Sequence, residues 1–227
     1  MEVFDNTNAK MGYRVFVGCL LMTMSALSGI DAIAFYAHSI LNIYFGTCAS
    51  IIGNLVLMII NFLSTFVAVF YIERKGRALI LYTGAIIMCV ALVAVAILAS
   101  MKDGGSAIGI SVAVFFALYV FGFAYSWGPV CWVVCAEMFP IRERGKANSL
   151  TIFSMWFWTT IVGAIFPFAA SASLSGCFAF FAGVIFLAAL FVYLYLPETA
   201  NRTATEIDVI DELYETHKPE FPRKKWL

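Results

Sequence analysis

Long apolar runs bounded by charged or turn-forming residues recur six times along the chain, at residues 14–43, 50–72, 78–101, 107–134, 150–172 and 177–196. A bilayer-crossing helix uses about 20 apolar residues, so every run is long enough to span. None shows the period-two alternation of a barrel strand, and lipid offers backbone amides no partner, so helices are predicted throughout. The expected fold is an all-α membrane protein, a six-transmembrane-helix bundle, with a leader at 1–13, a transmembrane domain at 14–196 and a tail at 197–227. Residues 11–18 lack the basic stretch, short apolar core and cleavage site of a secretory signal, so the first run is retained as a span.

Composition strengthens this reading. At 63% hydrophobic and 12% charged, the 227 residues do not resemble a water-soluble domain, and six spans with short loops leave no room for a large extramembrane catalytic domain. Lysine and arginine orient the bundle. Lys10 and Arg14 precede or open the first span, Arg74, Lys75 and Arg77 follow the second, Arg142, Arg144 and Lys146 follow the fourth, and Arg202, Lys218, Arg223, Lys224 and Lys225 lie in the tail. Only Lys102 falls on the other side, so both termini are predicted to be cytoplasmic. The formal net charge is zero, which gives no basic surface for nucleic acid. Partners are expected in or beside the membrane, including anionic lipid at the basic tail.

Polar side chains inside the spans carry the functional information, because an ionisable group near mid-bilayer costs several kcal/mol unless it faces a cavity or a partner. Asp31 is the clear case. Met24, Ser28, Asp31, Phe35 and His38 recur at helical spacing and are predicted to share one face of the first helix, with Ser28-Gly29 able to loosen it. Ser50, Asn54, Asn61 and Thr65 repeat the pattern in the second span. In the fourth, Gly122, Tyr125, Pro129 and Trp132 line up, and Gly128-Pro129 is predicted to break the helical hydrogen-bond ladder. The fifth carries Trp156, Thr159, Thr160, Gly163 and Pro167. These faces point either to a shared aqueous vestibule or to hydrogen bonding between helices.

Enzyme chemistry is not expected. No nucleophile elbow, zinc-protease helix or phosphate-cradling glycine loop occurs, and Asp31 has no second carboxylate at its depth. Neither cofactor nor metal is implied, since Cys131 and Cys135 share a helical face without a His or acid partner. Cys48 and Cys177 lie near the outer face, where a bridge would fit; the other cysteines read as small packing residues. Beyond Pro197, Thr203 and Glu206 form a capping box for a short helix through about residue 214. The Asn201-Arg202-Thr203 sequon falls on the cytoplasmic side and should stay unmodified.

Several motifs then occur in one order: Leu27-Ser28-Gly29-Ile30-Asp31-Ala32-Ile33, Glu73-Arg74-Lys75-Gly76-Arg77, Gly128-Pro129-Val130-Cys131-Trp132, Glu137-Met138-Phe139-Pro140-Ile141-Arg142-Glu143-Arg144-Gly145 and Pro197-Glu198-Thr199. As a set they resemble the sugar porter branch of the major facilitator superfamily, and specifically its carboxyl-terminal half, the seventh to twelfth helices. The resemblance implies a carrier that moves a sugar, polyol or similar solute by alternating access. It implies solute contacts near Ser28, Asp31 and Asn61, with Trp132 and Trp156 offering apolar faces to a sugar ring. Phe35 and Tyr36 fall where that family has aromatic outer-gate residues, and Glu73, Arg74, Arg77, Glu137 and Arg144 fall in its cytoplasmic gate charges.

The chain departs from the family at the solute site. Hexose transporters typically have a glutamine pair where Ser25 and Ala26 stand, an asparagine at Asp31 and often one at Met155. Amides both donate and accept hydrogen bonds, which suits sugar hydroxyls, whereas alanine and methionine side chains offer a sugar no such pairing. Asp31 is therefore expected to bind a differently hydroxylated or cationic solute, or to carry a proton. The amino-terminal six helices of the family are not matched. Three readings follow: a fragment of a longer product, a half-transporter that pairs with a second half, or a truncated protein without transport. In each, Glu137 and Arg144 are expected to lack partners that the family places across the halves. A non-transporting nutrient receptor or regulatory subunit is the competing function. The plasma membrane is expected over an internal one.

Overall fold

The computed structural model describes residues 9–101, 105–139 and 143–195; the expected tail helix and the sequon lie outside the described residues. The described residues form eight helices: α1 (Ala9–Leu27), α2 (Ile30–Phe45), α3 (Thr47–Lys75), α4 (Arg77–Ser100), α5 (Gly105–Tyr125), α6 (Trp127–Met138), α7 (Arg144–Ala172) and α8 (Leu174–Tyr195). Among the described residues these make six segments able to cross a membrane: Met11–Asn42, Thr47–Ile72, Arg77–Ser100, Ala107–Met138, Arg144–Ala172 and Leu174–Leu194. Helix α1 already runs from Ala9, ahead of the predicted start at Arg14. Arg14 explains the shift: it is buried, its Nη1 donating to the Met138 carbonyl at 3.4 Å, so the charge is carried inside the bundle and does not end the helix.

The first and fourth spans are each interrupted, α1 into α2 at Ser28-Gly29 and α5 into α6 at Ser126. At the first break Gly29 adopts φ 86°, a left-handed conformation that glycine tolerates without steric cost, and the ring of Phe181 from α8 closes to 2.6 Å of where a side chain would begin. The surroundings hold this break in place. Ser28 Oγ donates to the Ser25 carbonyl at 2.7 Å, and the buried Tyr119 hydroxyl of α5 donates to the Ser28 carbonyl at 3.0 Å. At the second break Pro129 has no N–H to offer the Tyr125 carbonyl, so α5 stops at Tyr125 and α6 restarts with the proline in its first turn, where it is tolerated. Trp127, fully buried beside the break, donates its indole N–H to the Leu81 carbonyl at 3.0 Å.

Helix α4 packs most extensively against α8 and α5, and α1 lies along α7. The core they enclose is built from Leu21, Met22, Leu81, Met88, Phe116, Phe178 and Trp127, all nearly without solvent contact. Helices α3 and α7 are different: each is buried along only 17% of its most apolar window, and large side chains such as Phe62, Phe66, Phe153 and Phe168 stand exposed. Large apolar side chains left exposed along a span belong in lipid or against another protein.

The polar support of the first break is testable. Tyr119→Phe keeps the buried ring but removes the donor to Ser28, which should lower stability by about 1–2 kcal/mol. Thermal unfolding of purified protein in detergent checks this, and an unchanged midpoint would show that the Ser28 carbonyl does not depend on Tyr119.

Candidate solute site and inner charge cluster

The proposed solute residues come from four helices: Ser28 and Asp31 at the first break, Asn61 on α3, Trp132 on α6 and Trp156 on α7. Trp132 and Trp156 expose 40% and 55% of their surface, while Asp31 and Asn61 are half-buried. Ser28 does not share that surface. It is 1% exposed with its hydroxyl turned back to Ser25, because the break rotates α2 relative to α1 and dissolves the single face expected across Met24, Ser28, Asp31, Phe35 and His38. Phe35, by contrast, stands 69% exposed, while His38 is tied by Nδ1 to Ser50 Oγ at 3.0 Å, joining α2 to α3.

Helix α7 holds both sides of the broken first span through a seam of polar contacts. Thr23 of α1 meets Ser154 at 2.8 Å, Thr159 donates to Asp31 Oδ2 at 2.9 Å, and the Tyr36 hydroxyl reaches the Gly163 carbonyl at 3.5 Å. Contacts advance together along the two segments because α7 runs parallel to them. Pro167 accounts for the third one: it lacks the N–H that would bond the carbonyl four residues back, leaving Gly163 able to accept from Tyr36. The Tyr36 ring also packs on Phe166, centroids 5.2 Å apart, and Phe166 stacks on Phe181. The two aromatic residues expected together therefore differ, Tyr36 being docked on α7 and Phe35 projecting outward.

Thr159 is the residue that sequence reasoning left out of the site. It stood in the polar pattern of the fifth span with Trp156, Thr160 and Gly163, but its neighbours use their hydroxyls differently: Thr160 donates to the Trp156 carbonyl in its own helix, as Thr65 does to Asn61. Only the register between α2 and α7 shows that Thr159 points at Asp31. The expected face of Ser50, Asn54, Asn61 and Thr65 is likewise divided, with Ser50 buried against His38 and Thr65 exposed.

The charged residues gather at the basic end of the bundle. Arg77 Nη2 meets Glu137 Oε1 at 2.7 Å, and its Nη1 donates to the Ile72 carbonyl at 3.4 Å. Arg144 Nε donates to the Phe139 carbonyl at 3.2 Å, one residue beyond the Met138 carbonyl that accepts from Arg14. Three arginines thus satisfy carbonyls at the C-terminal ends of α3 and α6, where the helix dipole favours a cation. Within the chain Glu137 is engaged by Arg77 at the start of α4, and Arg144 by the Phe139 carbonyl at the end of α6. Glu73 and Arg74 lie in the last turn of α3, and their side chains are outside the described residues. All six cysteines are free thiols, so no Cys48–Cys177 bridge forms.

Comparison with known proteins places this geometry. Residues 1–210 match the family described as Sugar (and other) transporter. The chain is 31% identical over 212 residues to Sugar transport protein 4 of Arabidopsis thaliana, covering 90% of this chain and 41% of that protein. It is 36% identical over 200 residues to the glucose transporter GlcP of Staphylococcus epidermidis, covering 87% and 45% respectively. The proton:xylose symporter XylE bound to 6-bromo-6-deoxy-D-glucose superposes with a TM-score of 0.77 at 25% identity, over 86% of this chain and 42% of the symporter. XylE from E. coli in its inward-open conformation gives 0.74, again at 25% identity and over 42% of its length. The chain therefore spans less than half the length of the relatives it matches, and its six spans correspond to one half of a major facilitator fold.

Proposed function

Since the chain belongs to the sugar (and other) transporter family, we propose that it works as part of a secondary carrier moving a sugar or related polyhydroxylated solute by alternating access. The observation that carries the reading is the family match across 1–210 joined to a half-buried carboxylate, Asp31, beside a built break in a membrane span. Broken helices bring polar groups to mid-membrane only where a cavity or protein receives them. Asp31, Asn61, Trp132 and Trp156 form one wall of the solute path, Phe35 and Tyr36 its outer gate, and Glu73, Arg74, Arg77, Glu137 and Arg144 its inner gate.

The second wall comes from another six-span half, either the amino-terminal part of a longer product or a separate half-transporter. Supporting this are the sparsely buried α3 and α7 and a length near two-fifths of the relatives. Both termini face the cytoplasm, because thirteen of the fourteen basic residues lie on that side, and the plasma membrane is the proposed location. Counterflow tests the function. Proteoliposomes holding this chain, alone and co-assembled with the amino-terminal six spans of a sugar-transporting relative, should exchange labelled sugar across the membrane in the co-assembled form. Saturable binding without counterflow in either form would favour a nutrient receptor and reject the carrier.

A further inference from the structure

The Asp31–Thr159 contact sets a constraint on the solute that the family match does not. A carboxylate presents lone pairs and no donor, and here Oδ2 already accepts the Thr159 hydroxyl at 2.9 Å. Thr159 is 6% exposed and cannot itself reach far into a solute path, whereas Asp31 is half-buried and keeps its second oxygen for another partner. Thr159 is also well suited to hold the carboxylate still. A β-branched side chain in a helix has restricted χ1 freedom, and this hydroxyl is committed across the helix pair to Asp31. Thr23–Ser154 on one side and Tyr36–Gly163 on the other fix the register of the broken span against α7, so the carboxylate orientation is set from both directions.

We propose that Asp31, oriented by Thr159 as a positioning residue, forms an acceptor-only contact that selects a solute by a hydroxyl able to donate. The inference rests on the carrier reading above for the sugar class of solute, and on the pair geometry alone for its acceptor character. An amide at this position would accept from a solute as readily as it donates, so it would tolerate a ring substituent that accepts but cannot donate. The carboxylate offers such a substituent no donor and repels its lone pairs. Trp156 lies three residues before Thr159 on the same helix and stands largely exposed, where an aromatic face can receive the apolar side of the ring that carries the donating hydroxyl.

The experiment uses the full chain, co-assembled with the amino-terminal six spans of a relative as above, and measures equilibrium binding of D-glucose, D-xylose and their monodeoxy and monofluoro analogues. A fluorine keeps lone pairs at the ring position but has no proton to give. At one ring position the deoxy and fluoro analogues should both bind about tenfold more weakly than the parent, as expected for loss of one hydrogen bond to a charged acceptor. With Asp31→Asn the fluoro analogue should overtake the deoxy analogue at that position. Equal tolerance of fluorine at every position in the wild-type protein overturns the selection.

Infrared difference spectra separate this outcome from failure of the sugar reading. Wild type minus Asp31→Asn assigns the Asp31 carboxylate band; Thr159→Val should shift it and Thr159→Ser should restore it. A merely structural Thr159 would leave the band in place, and an unmoved band overturns the positioning role. Absence of binding by every sugar, with the band shift intact, rejects the sugar as the Asp31 ligand and leaves the pair geometry standing.

Discussion

Gly84→Ala is expected to destabilise the folded state strongly, by about 3 kcal/mol or more. Gly84 lies on α4 where the span faces the second helix break, and a single added methyl group would overlap both Oγ and Cβ of Ser126 while approaching the Gly122 carbonyl at 3.1 Å. Neither obstacle yields easily. Ser126 is fully buried with its hydroxyl donating to the Gly122 carbonyl at 2.6 Å, and its backbone sits at the α5–α6 junction, so moving it drags the break itself. Trp127 is adjacent and bonded to Leu81, one turn from Gly84 on α4, which pins the same pair of helices from the other side. Overpacking a well-filled core typically costs about 1–3 kcal/mol, and an overlap with backbone-anchored atoms belongs at or above the top of that range. Against a net stability of about 5–15 kcal/mol, such a loss is large. Size-exclusion profiles and unfolding midpoints of detergent-purified variants measure it. Ser126→Gly in the Gly84→Ala background should recover most of the loss, because it removes both overlapping atoms; recovery of nothing would place the damage at the Gly122 carbonyl instead.

Spans were the most legible part of this protein, and the reason is energetic. Burying about 20 apolar residues in lipid leaves little alternative to a helix, so the six runs predicted from hydropathy lie within a few residues of the six segments found, the amino-terminal end of the fifth excepted. The fifth span starts at Arg144, six residues before the predicted start, because Arg144 is engaged with the Phe139 carbonyl and Ala147 and Thr151 are already buried: polar residues at a span end read as loop until their partners are known. Pro129 and Gly29 marked the two breaks correctly, since a missing N–H and a left-handed backbone are local properties that one residue decides.

The site was less legible because it depends on which helices touch. Helical spacing put Ser28 and Asp31 on one face, whereas Ser28 is buried with its hydroxyl turned to Ser25 and Asp31 is half-buried against Thr159. Thr159 looked like any threonine in a span, since a hydroxyl can return to its own helix or cross to another, and the choice is made by the register of α2 against α7, more than 120 residues apart in sequence. The charge cluster behaved likewise. Arg77 and Glu137 are 60 residues apart, and nothing in either loop identifies the other as its partner.

Removing either member of the Arg77–Glu137 pair is expected to cost about 2–3 kcal/mol, while removing both costs less than the two single losses together. Arg77 opens α4, a position where the helix dipole disfavours a cation, yet its side chain is only 13% exposed. The acceptors that hold it there include Glu137 near the end of α6 and the Ile72 carbonyl in the last turns of α3. Glu137→Leu takes away the carboxylate and leaves the guanidinium in a partly desolvated site without its anionic acceptor at 2.7 Å. Arg77→Met leaves the carboxylate at 30% exposure, wet enough to recover some hydration, so it should be the milder single change. For a fully buried pair the loss would approach about 3–5 kcal/mol; exposure of the glutamate lowers that figure, and a fully solvated pair would give about 0–1 kcal/mol. Salt separates the two regimes. A pair this sheltered should keep its coupling energy between about 0.1 and 1 M salt, over which the screening length falls from roughly 10 to 3 Å, whereas a surface pair would lose most of it. A double-mutant cycle on unfolding midpoints at both salt concentrations measures this coupling. A coupling that vanishes at high salt would remove the pair as a tie between the α3–α4 turn and the end of α6, and with it the structural basis for placing an inner gate at that end of the bundle.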